Sequence, residues 1–460
     1  MHDQYGPLVR IAPDEVCSAN PTEIPIIYRM QKPLEKTVWY LPWRAVPQFH
    51  ERPDMFTTLL NKDHAAYKKI IAGAFTMGSV LRNEDHMDDC VRLFINRMGE
   101  FADKEESFDF GLYAFDIIGT VFFGKQFGFM ENRHDHGKYI ESVHLASKYL
   151  SDYNDFAPKS SMLESTTDVA ISYSVPFLSV ITMTPTYLRY PVMASAVAVP
   201  KLLKAVIAVD GIRAIAIQNT KEQMKAAEEA TSKRHDILSQ LLTIVHEKGE
   251  KVNFTEHNVM AEMHVGITSI LLRSIFYYMM KNPETMAKAT AEVDEAFASG
   301  KLSWPPQHQE VVASCPYVCA VIKEASRIFP SFAVQIQRYS PPEGIKLSGQ
   351  FIPPGYRVGM NPHIVHMDKE VFGQDADVFK PERWLESEER CKAMDRAYLG
   401  FGVGTRPCAG KNLALAEIHK LVPAMLRNFS VEMAHNRPWK IHNASFIVQT
   451  DVICRLKRRN

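Results

Sequence analysis

Apolar residues recur at helical spacing along most of the chain. In the segment HAAYKKIIAGAF, Ile70, Ile71 and Phe75 lie on one face of a helix, while the two lysines lie on another. The same spacing recurs in longer ranges, several of which end at a proline, as helices commonly do. The pattern predicts helices in the ranges 62–124, 201–245, 255–281, 283–297, 311–329 and 411–429.

Short strands are predicted near both ends of the chain and in one section between them. Residues 1–20 suggest strands broken by Pro13, and the chain closes with the apolar segments FSVEM and SFIVQT. After the helix that ends at 329, the segments FAVQIQRYS, GIKLSG and YRVGMNP also suggest strands, with IPPGY as a turn. The next stretch, 363–404, is rich in Pro, Asp and Gly, and irregular stretches of this length are usually functional. The predicted fold class is mainly α with a minor β part.

Composition narrows the classes of function. The chain has 53 Lys plus Arg against 53 Asp plus Glu, so it lacks the basic surplus expected of a protein that binds nucleic acid. Its seven cysteines are odd in number and irregularly spaced, and no CxxC occurs. We therefore expect a reducing compartment rather than a disulfide framework or a structural zinc site. The C-terminal segment RLKRRN is interpreted as a solvated basic tail.

No signal peptide is recognisable at the N-terminus. The longest uncharged stretch, 169–188, contains Pro176, Pro185 and many Ser and Thr residues, so a membrane-spanning helix fits it poorly. We interpret the wider range 169–200 as a lid or core segment, with peripheral membrane contact as the alternative. The chain as given looks soluble.

Cys408 lies in a confined loop with the sequence FGVGTRPCAG. Gly402 and Gly404 leave room for a flat group to approach the backbone, or permit positive φ angles. A dinucleotide-binding loop is excluded, because Pro407 stands where GxGxxG requires its third glycine. A helix is predicted to begin near Gly410, and its free N–H groups should favour a thiolate and lower the thiol pKa.

The chemistry of this loop leaves three uses for the thiol. It can be the ligand of a cofactor metal, a nucleophile, or a buried structural cysteine. A nucleophile needs a histidine base, and no histidine lies within the loop. A ligand needs neighbours that hold the rest of the cofactor, and Arg406 could neutralise a cofactor carboxylate.

The loop resembles the haem-binding loop of the cytochrome P450 family, Phe-x-x-Gly-x-Arg-x-Cys-x-Gly. Two more family motifs occur in the right order, the Glu-x-x-Arg of KEASR and the meander motif in FKPERW. The resemblance covers nearly the whole chain, and YGPLVRIAP is similar to fungal members. It implies one P450 catalytic domain over 1–460, with haem between a long distal helix and the cysteine-loop helix. The loop residues that match are Phe401, Gly404, Arg406, Cys408 and Gly410.

The resemblance also implies which residues hold the cofactor, haem b (iron protoporphyrin IX). Cys408 would be the axial ligand of the iron. Arg406 and Arg338 match positions where the family binds haem propionates. His64 and Lys68 fall where the family has two further propionate contacts, although its commonest pair there is Trp and Arg.

A second group of residues is implied to support the cysteine loop without taking part in the chemistry. Glu324 and Arg327 are three residues apart, so they share one face of a helix. An ordinary surface ion pair of this kind would stabilise the protein little. In the family the pair is buried, and the meander arginine, here Arg383, joins it.

The distal helix departs from the family pattern. Members usually read Ala/Gly-Gly-x-Asp/Glu-Thr-Thr, whereas residues 263–268 read MHVGIT. Gly266 stands in the place of the acid and Ile267 in the place of the first threonine, so the pair that helps to deliver protons is missing. Three interpretations stay open. Thr268 moves into place through a local bulge, or His264 acts as acid or base over the haem, or His264 only packs and substrate groups relay protons.

The resemblance implies a haem-thiolate monooxygenase that oxidises an apolar secondary metabolite such as a terpenoid, polyketide or alkaloid. Its electrons would come from NADPH through NADPH-cytochrome P450 reductase. The altered distal helix motivates an alternative, a redox-neutral isomerase, cyclase or dehydratase, and a non-enzymatic haem-binding relative is the third hypothesis. Eukaryotic members usually begin with a membrane anchor, and we interpret this chain as a catalytic domain without that anchor. Localisation at the cytosolic face of the endoplasmic reticulum is expected if the native protein carries one.

Overall fold

A computed structural model describes residues 1–43, 54–109, 116, 128–132, 218, 221, 237–252, 267–444 and 446–459. Helices dominate these ranges, with small sheets beside them, as the sequence predicts. The α-helices are α1 (His2–Tyr5), α2 (Ile24–Ile27), α3 (Asn61–Ile71), α4 (Met77–Leu81), α5 (Glu84–Asp103), α6 (Phe129–Asn132), α7 (Ile237–Val252), α8 (Ile267–Lys281), α9 (Pro283–Ala298), α10 (His308–Ser314), α11 (Pro316–Ile328), α12 (Pro362–Val365), α13 (Lys369–Phe372), α14 (Glu388–Ala397) and α15 (Lys411–Asn428).

The strands are short and form four separate sheets within the described ranges. They are β1 (Leu8–Ala12), β2 (Glu15–Ser18), β3 (Phe108–Asp109), β4 (Arg338–Tyr339), β5 (Ile345–Leu347), β6 (Gln350–Ile352), β7 (Arg357–Gly359), β8 (Phe429–Met433), β9 (Lys440–Ala444), β10 (Phe446–Thr450) and β11 (Ile453–Arg458). The order β1-β2-β7-β4 makes the largest sheet, in which β2 and β7 run parallel with Val16 opposite Val358. Strands β3, β11 and β8 form a second sheet, and β5-β6 and β9-β10 are antiparallel pairs.

The main hydrophobic core is built by helices α5, α7, α8, α9, α11 and α15. Phe94, Leu241, Phe276, Val321 and Leu421 are among its fully buried side chains. Because α15 is surrounded by these helices, its buried positions include polar residues as well as the apolar stripe that the sequence shows. This central helix begins immediately after the cysteine loop, so the core fixes the position of the loop.

Proline and capping residues divide the predicted helices more finely than apolar spacing does. The predicted helix over 311–329 is two helices, because Cys315 leaves helical geometry and Pro316 begins α11. The predicted helical range 62–124 is interrupted after α5, where β3 follows, and most of the range beyond β3 lies outside the described residues. Helix α14 lies inside the stretch that we expected to be irregular, and the Ser387 side chain caps it by accepting a hydrogen bond from the Arg390 N–H at 3.2 Å.

The interpretation of RLKRRN as a solvated tail is wrong. Most of this segment lies in β11, which pairs with β8 so that Leu456 stands opposite Val431. Arg458 forms an ion pair with Asp103 at 2.6 Å, and Arg459 pairs with Asp294 at 2.5 Å. Arg458 and Arg459 are therefore bound to helices α5 and α9, and Lys457 pairs with Glu432 of β8 at 3.2 Å.

Across the ranges that the structure describes, no helix combines the length and the apolar character that crossing a bilayer requires. The range 169–200, which we interpreted as a lid or core segment with peripheral membrane contact as the alternative, lies outside the described residues.

Candidate functional site

The cysteine loop is a tight turn between α14 and α15. The Cys408 N–H donates to the Phe401 carbonyl at 2.8 Å, which closes the loop. Gly402 and Gly404 have φ angles of 68° and 70°, the left-handed conformation that the glycines were predicted to permit. A Cβ atom on Gly404 would lie 2.3 Å from the Tyr28 carbonyl oxygen, so the backbone passes too close for any larger residue.

The thiol of Cys408 faces open space and is at the same time closely surrounded by protein. Its residue is exposed, yet burial raises the pKa of the thiol, and the N–H groups of Gly410 and Lys411 act in the opposite direction. A side chain with both properties lies in a concave site. The expectation of a lowered pKa is thus wrong for the protein without a metal, because burial outweighs the helix N-terminus.

Arg406 binds the loop to the chain segment before α3. Its guanidinium donates to the carbonyls of Thr58 at 2.6 Å and Leu59 at 2.9 Å, and to Oδ1 of Asn61 at 2.9 Å. These partners are neutral, so they satisfy the hydrogen bonds of the guanidinium, and the charge of Glu35 compensates its positive charge only in part. Burial, and to a smaller extent the Arg338 charge, lower the pKa of Arg406 to about 10.

The other residues predicted to bind cofactor carboxylates lie around the same point. Arg338 is buried on β4 and donates to the Tyr40 hydroxyl at 3.2 Å. His64 is buried on α3, where burial and then the Arg406 charge lower its pKa to about 3. One turn further on α3, Lys68 donates to the Thr405 carbonyl at 3.5 Å, which brings it against the cysteine loop.

Sequence reasoning missed a fifth cationic residue, Lys36. It is buried, forms an isolated bridge to Arg338, and donates to the Phe56 carbonyl at 2.5 Å. Its Nζ also lies 4.0 Å from the centre of the Tyr40 ring. Burial lowers the pKa of Lys36 well below its ordinary value, and Arg338 and Arg406 act in the same direction. No motif in the sequence marked this lysine.

The cationic group formed by Lys36, His64, Lys68, Arg338 and Arg406 fits an anionic cofactor. Loss of water, and then repulsion from neighbouring cations, disfavours the charged forms of Lys36, His64 and Arg406. Carboxylates bound among them would relieve both effects, and arginine is well suited to that geometry. A thiol in a concave site beside buried cations is the donor set that haem requires.

Behind the loop lies a fully buried ion-pair network. Arg327 donates to both carboxylate oxygens of Glu324 at 2.8 Å, as the i,i+3 spacing predicts. Arg383 donates to the same carboxylate at 2.9 Å, and so does the Trp384 indole N–H, also at 2.9 Å. The carboxylate of Glu324 is therefore shared by two buried cations, which also bind carbonyls of the meander segment.

His366 connects this network to the cysteine loop, and the sequence gave no motif for it. Its Nδ1 is 2.8 Å from the Arg327 carbonyl, and its Nε2 accepts from the Leu399 N–H at 2.8 Å. The Leu399 carbonyl in turn accepts from the Gly402 N–H at 2.9 Å. Complete burial lowers the pKa of His366 to about 3, so the neutral ring can accept at one nitrogen and donate at the other.

Only part of the distal segment lies within the described residues. His264 and Gly266 are outside them, and Ile267 is the first residue of α8, with no description of its side chain. Thr268, the next residue, is half-buried and lies close enough to Glu417 of α15 to influence the pKa of that carboxyl group. Burial raises the pKa of Glu417 to about 8, and the Thr268 hydroxyl partly opposes this rise. The sequence predicted an amphipathic helix here and gave no sign that Glu417 would be buried within it.

Comparisons with known proteins agree with this geometry. Residues 2–454 match the sequence model of the family described as Cytochrome P450. Cytochrome P450 monooxygenase ACRTS1 of Alternaria alternata is 42% identical over 403 residues, which cover 85% of this chain and 99% of the relative. Cytochrome P450 monooxygenase gsfF of Penicillium aethiopicum is 35% identical over 465 residues, with coverage of 98% and 86%.

A third relative has a lower sequence identity, and its alignment also covers most of both chains. Cytochrome P450 monooxygenase cicH of Emericella nidulans is 31% identical over 472 residues, which cover 100% of this chain and 88% of the relative. The family match spans almost every residue, including the cysteine loop, the Glu-x-x-Arg helix and the meander. The chain therefore belongs to the cytochrome P450 family, and it is a haem-dependent oxidoreductase of the monooxygenase class.

Proposed function

We propose that the chain oxidises an apolar fungal secondary metabolite, such as a terpenoid, polyketide or alkaloid, with Cys408 as the axial ligand of haem b. The observation that carries the proposal is the concave thiol site beside five buried or half-buried basic residues. A thiolate-bound haem supplies the chemistry of O–O bond cleavage. The fungal origin of the relatives, all described as P450 monooxygenases, supports the reaction class.

The residues of the site have separate tasks in this proposal. Arg406, Arg338, His64 and Lys68 hold the haem propionates, and neutralising those carboxylates fixes the orientation of the ring. Metal binding deprotonates a thiol outright, and the N–H groups of Gly410 and Lys411 stabilise the resulting negative sulfur.

Two loop residues shape the surroundings of the thiolate. Phe401 is half-buried, packs against the main core and accepts the Cys408 N–H at its carbonyl. Gly404 lets the loop pass close to the Tyr28 carbonyl, which fixes the path of the backbone toward Cys408. Both residues therefore act by position rather than by exchanging protons or electrons.

We propose NADPH-cytochrome P450 reductase as the electron donor and, if the native protein carries a membrane anchor, the cytosolic face of the endoplasmic reticulum as the location. Members of the family need a redox partner and act on a small-molecule substrate, and this need supports the proposal of a reductase as electron donor. Three candidates remain for the source of protons on the distal side of the haem: His264, Thr268 and the substrate itself. A nucleic-acid partner is not expected from the balanced charge of the chain.

A redox-neutral reaction is the second candidate, because Gly266 and Ile267 replace the usual acid and alcohol. In such an isomerase, cyclase or dehydratase, haem would act as a Lewis acid or the site as a template. The two candidates differ in their need for electrons and O2. A third hypothesis, a non-enzymatic haem-binding relative, predicts haem binding without turnover.

The test is to incubate the haem-loaded protein with candidate pathway intermediates, with and without reductase and NADPH, under labelled O2. Product that needs both components and carries one labelled oxygen supports the monooxygenase proposal. Product that forms equally without reductase would overturn it in favour of the redox-neutral candidate. Stable haem binding with no product in either arm, across a panel that yields product with a related monooxygenase, would favour the non-enzymatic hypothesis.

A further inference from the structure

Tyr28 is a buried tyrosine that contacts three parts of the site at once. It is the residue that ends α2, and only 6% of its surface is exposed. Its hydroxyl meets the ends of strands β4 and β7, its ring faces the Arg338 guanidinium, and its carbonyl lies against the cysteine loop at Gly404. One residue therefore links the two strands, the arginine and the loop.

The hydroxyl group of Tyr28 replaces a hydrogen bond between the two strands. Strands β4 and β7 are antiparallel with Arg338 opposite Val358, and continuing this register sets Ile336 opposite Met360. The Ile336 N–H donates to the Met360 carbonyl at 2.9 Å. In the other direction, the Met360 N–H donates to the Tyr28 hydroxyl at 2.9 Å, and that hydroxyl donates to the Ile336 carbonyl at 2.9 Å. The inserted hydroxyl thus completes the pair and fixes the strand two residues before Arg338.

The ring of Tyr28 covers the guanidinium that this strand carries. The Cζ atom of Arg338 lies 5.3 Å from the centre of the ring, within the range of a cation–π contact. The other partners of the guanidinium are the Gln337 carbonyl at 2.7 Å and the Tyr40 hydroxyl at 3.2 Å. All three partners are uncharged, so they orient the guanidinium without neutralising it. A carboxylate in the place of Tyr28 would compete with the carboxylates of a cofactor for the same guanidinium.

The backbone of Tyr28 fixes the other side of the site. A Cβ atom on Gly404 would lie 2.3 Å from the Tyr28 carbonyl oxygen and 3.3 Å from the Tyr28 Cβ atom, so the cysteine loop packs directly on this residue. Gly404 stands four residues before Cys408 in the loop. The arginine is therefore held by the side chain of Tyr28, and the loop by its backbone.

We infer that Tyr28 is a positioning residue that holds Arg338 in place relative to the cysteine loop, and that it thereby sets how firmly carboxylates bind beside Cys408. Tyr28 acts through Arg338 and exchanges no proton or electron itself. The inference rests on the proposed binding of the haem carboxylates at Arg338. The alternative is that Tyr28 only fills the core between α2 and the sheet.

A double-mutant cycle on the haem-loaded protein separates these two roles. Arg338→Met removes the guanidinium, and Tyr28→Leu removes the ring and the hydroxyl. Each single variant should release haem to an acceptor protein faster, Tyr28→Leu by ~3–30-fold, the range of a cation–π contact. In the Arg338→Met background, Tyr28→Leu should add no more than about a twofold change, because its effect passes through the arginine. A residue that only fills the core would give rate changes that multiply.

The reduction potential of the haem iron is a second readout, which core filling alone would not move. Reduced iron carries less positive charge than oxidised iron, so a guanidinium held near it favours the reduced state. Tyr28→Leu should therefore lower the potential in the same direction as Arg338→Met, and by less. Tyr28→Phe keeps the ring over the guanidinium, so it should restore most of the potential and of the haem retention that Tyr28→Leu loses.

Tyr277→Leu is the matched control. Tyr277 is a buried tyrosine of α8 that stacks on Trp439 at 3.9 Å, and it also has a cation near its ring, Lys281 at 5.8 Å. Its replacement should lower the free energy of unfolding, because a buried aromatic side chain is lost. It should leave the reduction potential at the parent value.

The outcomes separate this inference from the proposed function. Effects that multiply in the cycle, or a parental potential in a haem-loaded Tyr28→Leu variant, would overturn the inference and leave the proposed haem site standing. Parental haem release and parental potential in Arg338→Met would overturn the proposed carboxylate site together with the inference.

Two substitutions keep the test decisive if a variant fails. If Tyr28→Leu does not fold, the same cycle is run with Tyr28→Phe, whose smaller effect must also shrink in Arg338→Met because the strand that the hydroxyl fixes acts through Arg338. If Arg338→Met holds no haem, Arg338→Lys takes its place, since it keeps the charge and loses the planar group that stacks on the ring. Effects that multiply in either replacement cycle would overturn the inference.

Discussion

Replacing Glu324 by glutamine should disrupt the support behind the cysteine loop. The substitution keeps the volume of the side chain and removes its charge. Arg327 and Arg383 would then be two fully buried guanidinium groups, of which Arg327 has no other carboxylate within ion-pair distance in the described part of the chain. Arg383 would retain Asp375 at 3.1 Å, a half-exposed partner. The amide N–H₂ of the new side chain would also face donors rather than acceptors.

The magnitude follows from the burial of this network. Breaking a buried ion pair by removing one partner costs ~3–5 kcal/mol, because the other charge stays buried without compensation. Glu324 is shared by two arginines and also accepts from Trp384 at 2.9 Å and the Lys380 N–H at 3.0 Å. We therefore expect the upper part of that range. Native proteins are stable by only ~5–15 kcal/mol in total, so the variant should be close to unfolding.

Two assays and one control make this prediction specific. Haem content per polypeptide should fall, and urea unfolding should move to a lower midpoint. Glu388→Gln is the matched control, because Glu388 forms an i,i+4 pair with Lys392 on α14 with both side chains mostly exposed. Such pairs contribute ~0.3–0.5 kcal/mol, so the control should resemble the parent. A Glu324→Gln variant with parental haem content and an unfolding free energy like that of the control would refute the reasoning.

Gly404→Ala should lose haem, because its φ is 70° and its Cβ would meet the Tyr28 carbonyl at 2.3 Å. Gly349→Ala is the control: its φ is 80° and the space around it is open, so this variant should keep haem. His366 is neutral when folded, since burial lowers its pKa to about 3. As the pH falls below ~6.5, the pKa of histidine in the unfolded chain, the free energy of unfolding should decrease, by ~2 kcal/mol at pH 5 relative to neutral pH. His366→Gln should remove that decrease, as measured by urea unfolding at pH 7 and pH 5. Lys36→Met should stabilise the haem-free protein, as measured by unfolding without haem. It should also speed the transfer of haem to an acceptor protein. A variant that is stabilised without haem and keeps haem as well as the parent would contradict the place of Lys36 in the cationic group.

The parts of the site that depend on short motifs were predictable from the sequence. Glycine, arginine and cysteine stand at fixed spacing in the loop because the backbone geometry requires it, and Glu324 and Arg327 pair because they are three residues apart on one helix. The break at Pro316 was also readable, since proline often begins a helix. Ser387 followed by two glutamates likewise carried the signal for the start of α14.

Features that depend on tertiary contacts could not be predicted in this way. Lys36 and His366 belong to no motif, and only their burial against distant segments gives them partners. The basic C-terminal run looked solvated because the acids that bind Arg458 and Arg459 come from other parts of the chain. The pKa of the Cys408 thiol depends on a competition between burial and backbone N–H groups, which local sequence does not quantify.

The central claim is that Cys408 holds the haem iron as a thiolate, and the absorption spectrum of the reduced, CO-bound protein tests it most directly. The parent should show the red-shifted Soret band of thiolate-ligated haem. Cys391→Ala should retain that band, because Cys391 is a half-buried cysteine of α14 outside the loop. Cys408→Ala should abolish it. Persistence of the band in Cys408→Ala would contradict the claim, because another residue would then hold the iron.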